Sequence, residues 1–346
     1  MTLKLRERDR RIFAAVVQDY LATAEPVGSR KLSKKYDLEV SPATIRNVMA
    51  DLEDLGLLAQ PHASAGRAPT DLGMRYYVDV ILEVSRISGK EKETISQELA
   101  GLPHEAEQII KRTSKVLSAV SRQIGIVLAP KFSRLRLRQL QLVRLSRQTF
   151  LVILVGQSGI IQNRIIESDE DLSQDDLDRF NRYLTDILEG LTISEIKVRI
   201  VDEMRLEKNR FDTMMSKALA LSNRVFQQES AEDDVFIEGR GNLLDYPEFA
   251  EAGAMKSLFK AFEDKSILIQ LLDKTLNASG VRIFIGGESQ LAGLEGYSVI
   301  ASAYSRGSIP IGTLGVIGPT RLDYSKIIPV VDYTARLISH IFEEGY

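Results

Sequence analysis

The chain has 346 residues, 45 of them Lys or Arg and 48 Asp or Glu, giving a formal charge of −3 with 44% hydrophobic content. At about 150 residues per domain that length predicts two or three domains, and the composition excludes wholesale disorder or a fibrous repeat. The lack of Cys excludes disulfides, thiolate metal sites and a Cys nucleophile; with no apolar run long enough for a signal segment or a span, a soluble cytoplasmic protein that engages no membrane is expected.

In chain order, Ile12, Phe13, Val16, Val17, Tyr20 and Leu21 recur at helical spacing and predict a first helix, which Glu25 to Gly28 close. Ser29 then caps a short second helix, Arg30 to Tyr36, with Leu32 and Tyr36 on one face and Arg30, Lys31, Lys34 and Lys35 on the other. After a turn from Asp37 to Val40, Ser41 supplies a cap oxygen and Pro42 the first position of a third helix. Its apolar stripe is Ile45, Val48, Met49, Leu52 and Leu55, and Gly56 stops it. Leu57 to Gln60 and Ala68 to Thr70 predict two short paired strands around a turn-rich tip, Pro61 to Arg67, which completes a winged-helix pattern. Thr70 and Asp71 cap a fourth helix whose apolar face is Tyr77, Val80, Ile81 and Val84, a bridge to the rest of the molecule.

Helical spacing continues at 90–100 and 104–122, followed by a strand over Ile124 to Ala129. Leu135 to Leu145, Phe150 to Val155 and Ile160 to Glu167 predict an antiparallel meander. Residues 173–228 read as almost wholly helical, with Asp175, Asp176 and Asp178 suiting a helix N-terminus. Beyond Asp234, Val235 to Glu238, Val281 to Ile285, Ser298 to Tyr304 and Ile309 to Ile317 are strand-like, with helices at 254–274 and 325–343. The expected fold class is therefore α+β and multidomain.

Up to Arg75, twelve basic residues stand against ten acidic ones, so the head is slightly positive although the whole chain is acidic. What matters is where the charges fall. On the third helix the side opposite the stripe centres on Ala43, Asn47, Ala50 and Asp54, edged by Thr44 and Arg46. In the major groove Asn can pair with adenine, Arg with guanine or a phosphate, and Ala with a thymine methyl. Asp51, Glu53 and Asp54 would repel phosphate, so the N-terminal two turns are expected to enter the groove. Arg67 offers one cation from the wing, beside a Gly66 that allows close backbone approach to a groove wall.

Each of these features alone also describes an ordinary exposed helix or hairpin; together they point to DNA. The residues expected to contact it are Arg30, Lys31, Ser41, Ala43, Thr44, Arg46, Asn47 and Arg67. Catalysis, metal and cofactor binding are not expected. His62, His104 and His340 are scattered, and Gly239-Arg240-Gly241 and Gly286-Gly287 lack the rest of a phosphate loop. Asp169, Glu170 and Asp171 read as solvated capping charge.

These residues resemble the heat-inducible transcription repressor HrcA family, through motifs spread over nearly the whole chain. They are Glu25-Pro26-Val27-Gly28-Ser29, Ser41-Pro42-Ala43-Thr44-Ile45-Arg46-Asn47, Met49-Ala50-Asp51-Leu52-Glu53 and Ser64-Ala65-Gly66-Arg67-Ala68-Pro69-Thr70. Asn242-Leu243-Leu244, Pro247-Glu248-Phe249 and Gly315-Val316-Ile317-Gly318-Pro319-Thr320-Arg321 complete them. The resemblance implies a homodimeric repressor of chaperone operons that binds an inverted-repeat operator in double-stranded DNA, the CIRCE element, and is kept active by a GroEL-type chaperonin. It also implies a winged-helix head (residues 1–75), a GAF-like domain in two pieces (76–130 and 233–346) and an inserted dimerisation domain (131–232).

The pattern of residues agrees with that division, because the meander and its helices interrupt strand-like segments on either side. An inverted repeat suits a two-fold dimer, each half-site meeting an identical head. The alternative reading is a small-molecule-responsive winged-helix regulator that senses an effector through the GAF-like domain; convergent polar groups in a pocket there would favour it.

Overall fold

The computed structural model describes residues 4–62, 65–101, 106–130, 136–157, 161–168, 172–210, 219–222, 235–246, 262, 265–276, 278–290 and 296–344. Within them the chain is α+β and multidomain, with antiparallel sheets of two, five and three strands. Helix α1 (Glu7–Thr23) buries Ile12, Phe13, Val16 and Val17 and ends where Ala24 turns left-handed at φ 60°. Helix α2 (Ser29–Lys35) starts one residue earlier than its sequence suggests: Gly28 takes the cap position and Ser29 is buried in the first turn.

Helix α3 (Pro42–Asp54) begins and ends as its local chemistry dictates. Ser41 Oγ accepts the Thr44 N–H at 3.1 Å, Pro42 needs no donor there, and Gly56 follows at φ +73°. Ile45, Val48, Met49 and Leu52 are buried against α1 and α2. Strands β1 (Leu58–Ala59) and β2 (Ala68–Pro69) pair with Leu58 opposite Pro69, while residues 63 and 64 of the connecting tip lie outside the described set. The close approach that Gly66 permits is to the chain itself. Val27 and Arg67 exchange backbone hydrogen bonds of 2.8 and 3.0 Å, and a Cβ on Gly66 would sit 2.4 Å from the Val27 carbonyl carbon.

Helix α4 (Asp71–Tyr76) is capped by Thr70, whose Oγ1 accepts the Gly73 N–H at 3.0 Å. It then widens into a π-turn over Tyr77–Ile81, and Leu82 turns extended. This corrects the expected apolar face: Tyr77 is buried, but Val80 and Val84 are exposed at 40% and 51%. The wider turn breaks the 3.6-residue period on which the expectation rested, and the helix stops before Val84.

Helices α5 (Gly89–Leu99) and α6 (Ala106–Ser121) lead to β3 (Ile124–Leu128), and β7 (Val235–Glu238) resumes the same sheet after a long insertion. With β8 (Val281–Ile285), β9 (Tyr297–Arg306) and β10 (Ile309–Pro319) the strand order is β7-β3-β10-β9-β8. Alternation along β3 sends Ile124, Ile126 and Leu128 to a layer shared with Leu268, Leu271 and Leu272 of α9 (Lys265–Leu276). Val127 faces the opposite layer, filled by α6 and α10 (Tyr324–Glu344). Helix α6 lies so close that a Cβ on Gly125 would be 2.1 Å from the Ser114 carbonyl oxygen.

The insertion leaves after β3 and returns on its neighbour β7, with Gly125 opposite Glu238. It holds the expected meander, β4 (Leu137–Arg144), β5 (Thr149–Gly156) and β6 (Ile161–Glu167), then α7 (Gln174–Leu188) and α8 (Ile193–Arg210). Leu140, Leu142, Phe150, Val152 and Leu154 pack with Leu177, Phe180, Leu184 and Leu188 of α7 as one buried cluster. Most of the helix expected beyond 210, the first part of that expected at 254–274, Asp169, Glu170, Asp171 and His104 lie outside the described residues.

Candidate nucleic-acid interface

The buried stripe of α3 fixes what its other side presents. Ser41, Ala43, Arg46 and Asn47 are exposed along the first two turns, with Thr44 and Ala50 half-buried at the edge. Among the described residues no side chain pairs with Arg46 or Asn47. The hydroxyls of Ser41 and Thr44 lie 2.9 Å apart, so both belong to the helix cap while staying at its rim. The N-terminal end also carries the positive pole of the helix, which favours an anion there.

Helix α2 brings its cations to the neighbouring surface, but they are not equivalent. Arg30 is exposed and no described side chain pairs with it. Lys31 and Lys35 instead converge on Asp19 of α1, at 2.7 and 2.5 Å. The Asp19 side chain is fully buried. Burial pushes its carboxyl up, yet hydrogen bonds and charge from Lys31 and Lys35 outweigh that and hold it below the ordinary aspartate range. The same hydrogen bond holds the Lys35 ammonium above its ordinary value. Asp19 was not among the residues the sequence singles out, although a carboxylate between Val16, Val17 and Tyr20 on an otherwise apolar stripe is the signal that could have found it.

Arg67 lies on the hairpin as expected, with its side chain turned toward α3. Its Nε and one terminal nitrogen reach Glu53 at 2.8 and 2.7 Å, and 18% of the side chain is exposed. Arg11 closes the far side of the head by donating to the Asp37 carbonyl oxygen at 3.2 Å, which ties α1 to the turn before α3. The structure thus gathers Arg30, Lys31, Ser41, Ala43, Thr44, Arg46 and Asn47 on α2, α3 and the turn between them. Arg67 is the member held by a carboxylate of α3. No helix among the described residues is long and apolar enough to cross a membrane.

Comparison with known proteins places these features in context. The family model described as the HrcA protein C terminal domain matches residues 107–328. The heat-inducible transcription repressor HrcA of Geobacter sulfurreducens is 48% identical over 98% of each chain, and that of Syntrophobacter fumaroxidans is 47% identical with the same coverage. A crystal structure of a hypothetical protein superposes with a TM-score of 0.64 at 23% identity, covering 99% of this chain and 100% of its own, which supports the fold.

Proposed function

The chain belongs to the HrcA family of heat-inducible transcription repressors, and from that premise we propose how it reaches DNA and how it is regulated. It is a repressor of heat-shock genes, not an enzyme. The head, residues 1–75, is a winged helix whose α3 enters the major groove of a CIRCE-type inverted repeat. Asn47 and Arg46 read base edges, Ala43 meets a thymine methyl, and Arg30, Lys31, Ser41 and Thr44 hold phosphates. Arg67 steadies the hairpin through Glu53 and offers its remaining donors to the backbone of the duplex. The observation that carries this reading is the exposed row Ala43, Arg46 and Asn47 on the first turns of a helix whose opposite stripe is buried.

Two heads act together. Residues 76–130 and 233–346 form a GAF-like domain, and 131–232 is an inserted dimerisation domain. The outer face of its sheet supports that role: Leu151, Ile153 and Val155 are left half-buried there, and Ile161 and Ile165 are exposed at 56% and 63%. Among the described residues the two layers against the five-stranded sheet are packed mainly by apolar side chains, with the buried Thr113, Thr313 and Thr334 hydroxyls donating to backbone carbonyls.

A GroEL-type chaperonin raises the active fraction, because β3 must find β7 and β10 across more than a hundred residues of chain. The working protein is cytoplasmic. Footprinting of a chaperone promoter, using protein refolded with and without chaperonin, tests the reading. Protection of both halves of an inverted repeat, stronger after chaperonin, is expected; absence of a footprint would overturn the DNA assignment, and equal footprints would overturn the chaperonin step.

A further inference from the structure

Helix α4 has two allegiances. Met74, Tyr76 and Tyr77 are buried with the head core, Tyr76 meeting Phe13 edge-on at 5.9 Å between ring centroids. Asp71, Arg75 and Asp79, spaced four residues apart, share another face, which meets the turn after β8. Arg75 Nε donates to Glu288 Oε1 at 2.8 Å, and its Nη2 donates both to the second Glu288 oxygen and, at 2.6 Å, to the Ile283 carbonyl oxygen. Asp79 accepts from the third nitrogen of the same guanidinium. One turn earlier, Asp71 Oδ2 accepts the Gly287 N–H at 2.9 Å.

The body side is built to match. Glu288 is itself held by the Ile285 N–H at 2.9 Å, so its carboxylate is oriented before Arg75 arrives. Gly286 adopts φ +53°, and a Cβ there would stand 2.0 Å from Asp71 Oδ2, so the close approach requires glycine twice over. Strand β8 is the edge of the five-stranded sheet, and Arg75 takes up one of its carbonyls. A bidentate guanidinium–carboxylate pair fixes direction as well as distance, which a lysine or a lone carboxylate would not.

We infer that Arg75 and Glu288, with Asp71 and the Gly287 N–H, are positioning residues that hold the DNA-reading head at a set angle to the body and so determine which half-site spacing the dimer accepts. The inference rests on the two-headed operator reading above. A dimer whose heads are held rigidly gains affinity only when the spacing of half-sites matches that of the heads; loosening the junction spreads the same avidity over many spacings and lowers its peak. None of the four groups lies on the α3 surface proposed to meet DNA, so binding of one head to one half-site does not depend on them.

The test measures affinity of the full chain for duplexes carrying one half-site, the natural inverted repeat, and repeats whose spacer is lengthened by about half a helical turn. For the wild type, at least about tenfold loss is expected on lengthening. For Arg75→Met and Glu288→Gln that loss shrinks to about threefold or less, half-site affinity stays within about twofold, and the double variant adds nothing to either single one. A merely structural role would weaken all duplexes alike. If Arg75→Met loses half-site binding by unfolding the head, Glu288→Gln, whose change lies in the body, decides alone. An unchanged spacer profile in a folded variant overturns the inference and leaves the operator reading standing. A wild type that binds the repeat no better than one half-site overturns the operator reading itself.

Discussion

At the scale of single residues, charge in the head is deployed in two ways. The guanidinium groups of Arg30 and Arg46 face outward without a described side-chain partner, whereas Lys31, Lys35 and Arg67 are tethered to carboxylates. The salt dependence of binding should follow that division: Arg30→Ala lowers the slope of log affinity against log salt by about one unit for each phosphate that each head no longer neutralises. Lys31→Ala lowers it less, because Asp19 already offsets part of its charge; an equal drop for both variants in a titration over random duplex DNA would refute this.

Asp19 also makes a prediction about pH. Its carboxyl is held below the ordinary aspartate value in the folded head, so its stabilisation is present above the unfolded value and is lost as pH falls through the folded one. Asp19→Asn should therefore destabilise the head near neutrality and flatten the acid limb of its unfolding curve. An acid limb identical to that of the wild type would rule out this role for the carboxylate.

At the scale of elements, the boundaries that local chemistry decides were legible. Ser41-Pro42 and Gly56 bracket α3 where a cap oxygen, a missing donor and a left-handed stop require it. The meander could be read from three closely spaced strand-like runs, and these pair antiparallel in chain order. What escaped depends on partners distant in sequence. Arg75 reads as one more surface cation until Glu288, more than two hundred residues away, is brought beside it. Lys31 and Lys35 read as a free basic face until Asp19 of α1 is folded under them. Val80 and Val84 continue an apolar period that the π-turn interrupts.

The hairpin carries a prediction of its own, since its position relative to α2 depends on the Val27–Arg67 backbone pair. Gly66→Ala places a methyl against the Val27 carbonyl and should cost about 1–3 kcal/mol, read by denaturant unfolding of the full chain monitored in the head. A change within about 0.5 kcal/mol would mean that the hairpin yields freely.

At the scale of the whole molecule, the proposed function assigns contact with the operator to the head, the holding of the head to the five-stranded sheet and its helices, and the joining of two copies to the inserted three-stranded sheet and its helices. If the outer face of β5 and β6 joins the copies, Ile165→Glu should convert a dimer to a monomer in sedimentation, with operator affinity falling toward that of a single half-site by about two to four orders of magnitude. A variant that stays dimeric would move the interface elsewhere. Everything proposed for the molecule turns on paired α3 helices reading the two halves of one inverted repeat. The sharpest test is the affinity of the wild type and of Asn47→Ala for an operator series with every base pair changed singly. For the variant, affinity for the unaltered operator should fall by about 1–3 kcal/mol per half-site, and preference should relax at one symmetry-related base pair in each half, the rest of the profile unchanged. An identical profile for the two proteins, or relaxation in one half-site only, would show that the two α3 helices do not read the repeat in this way.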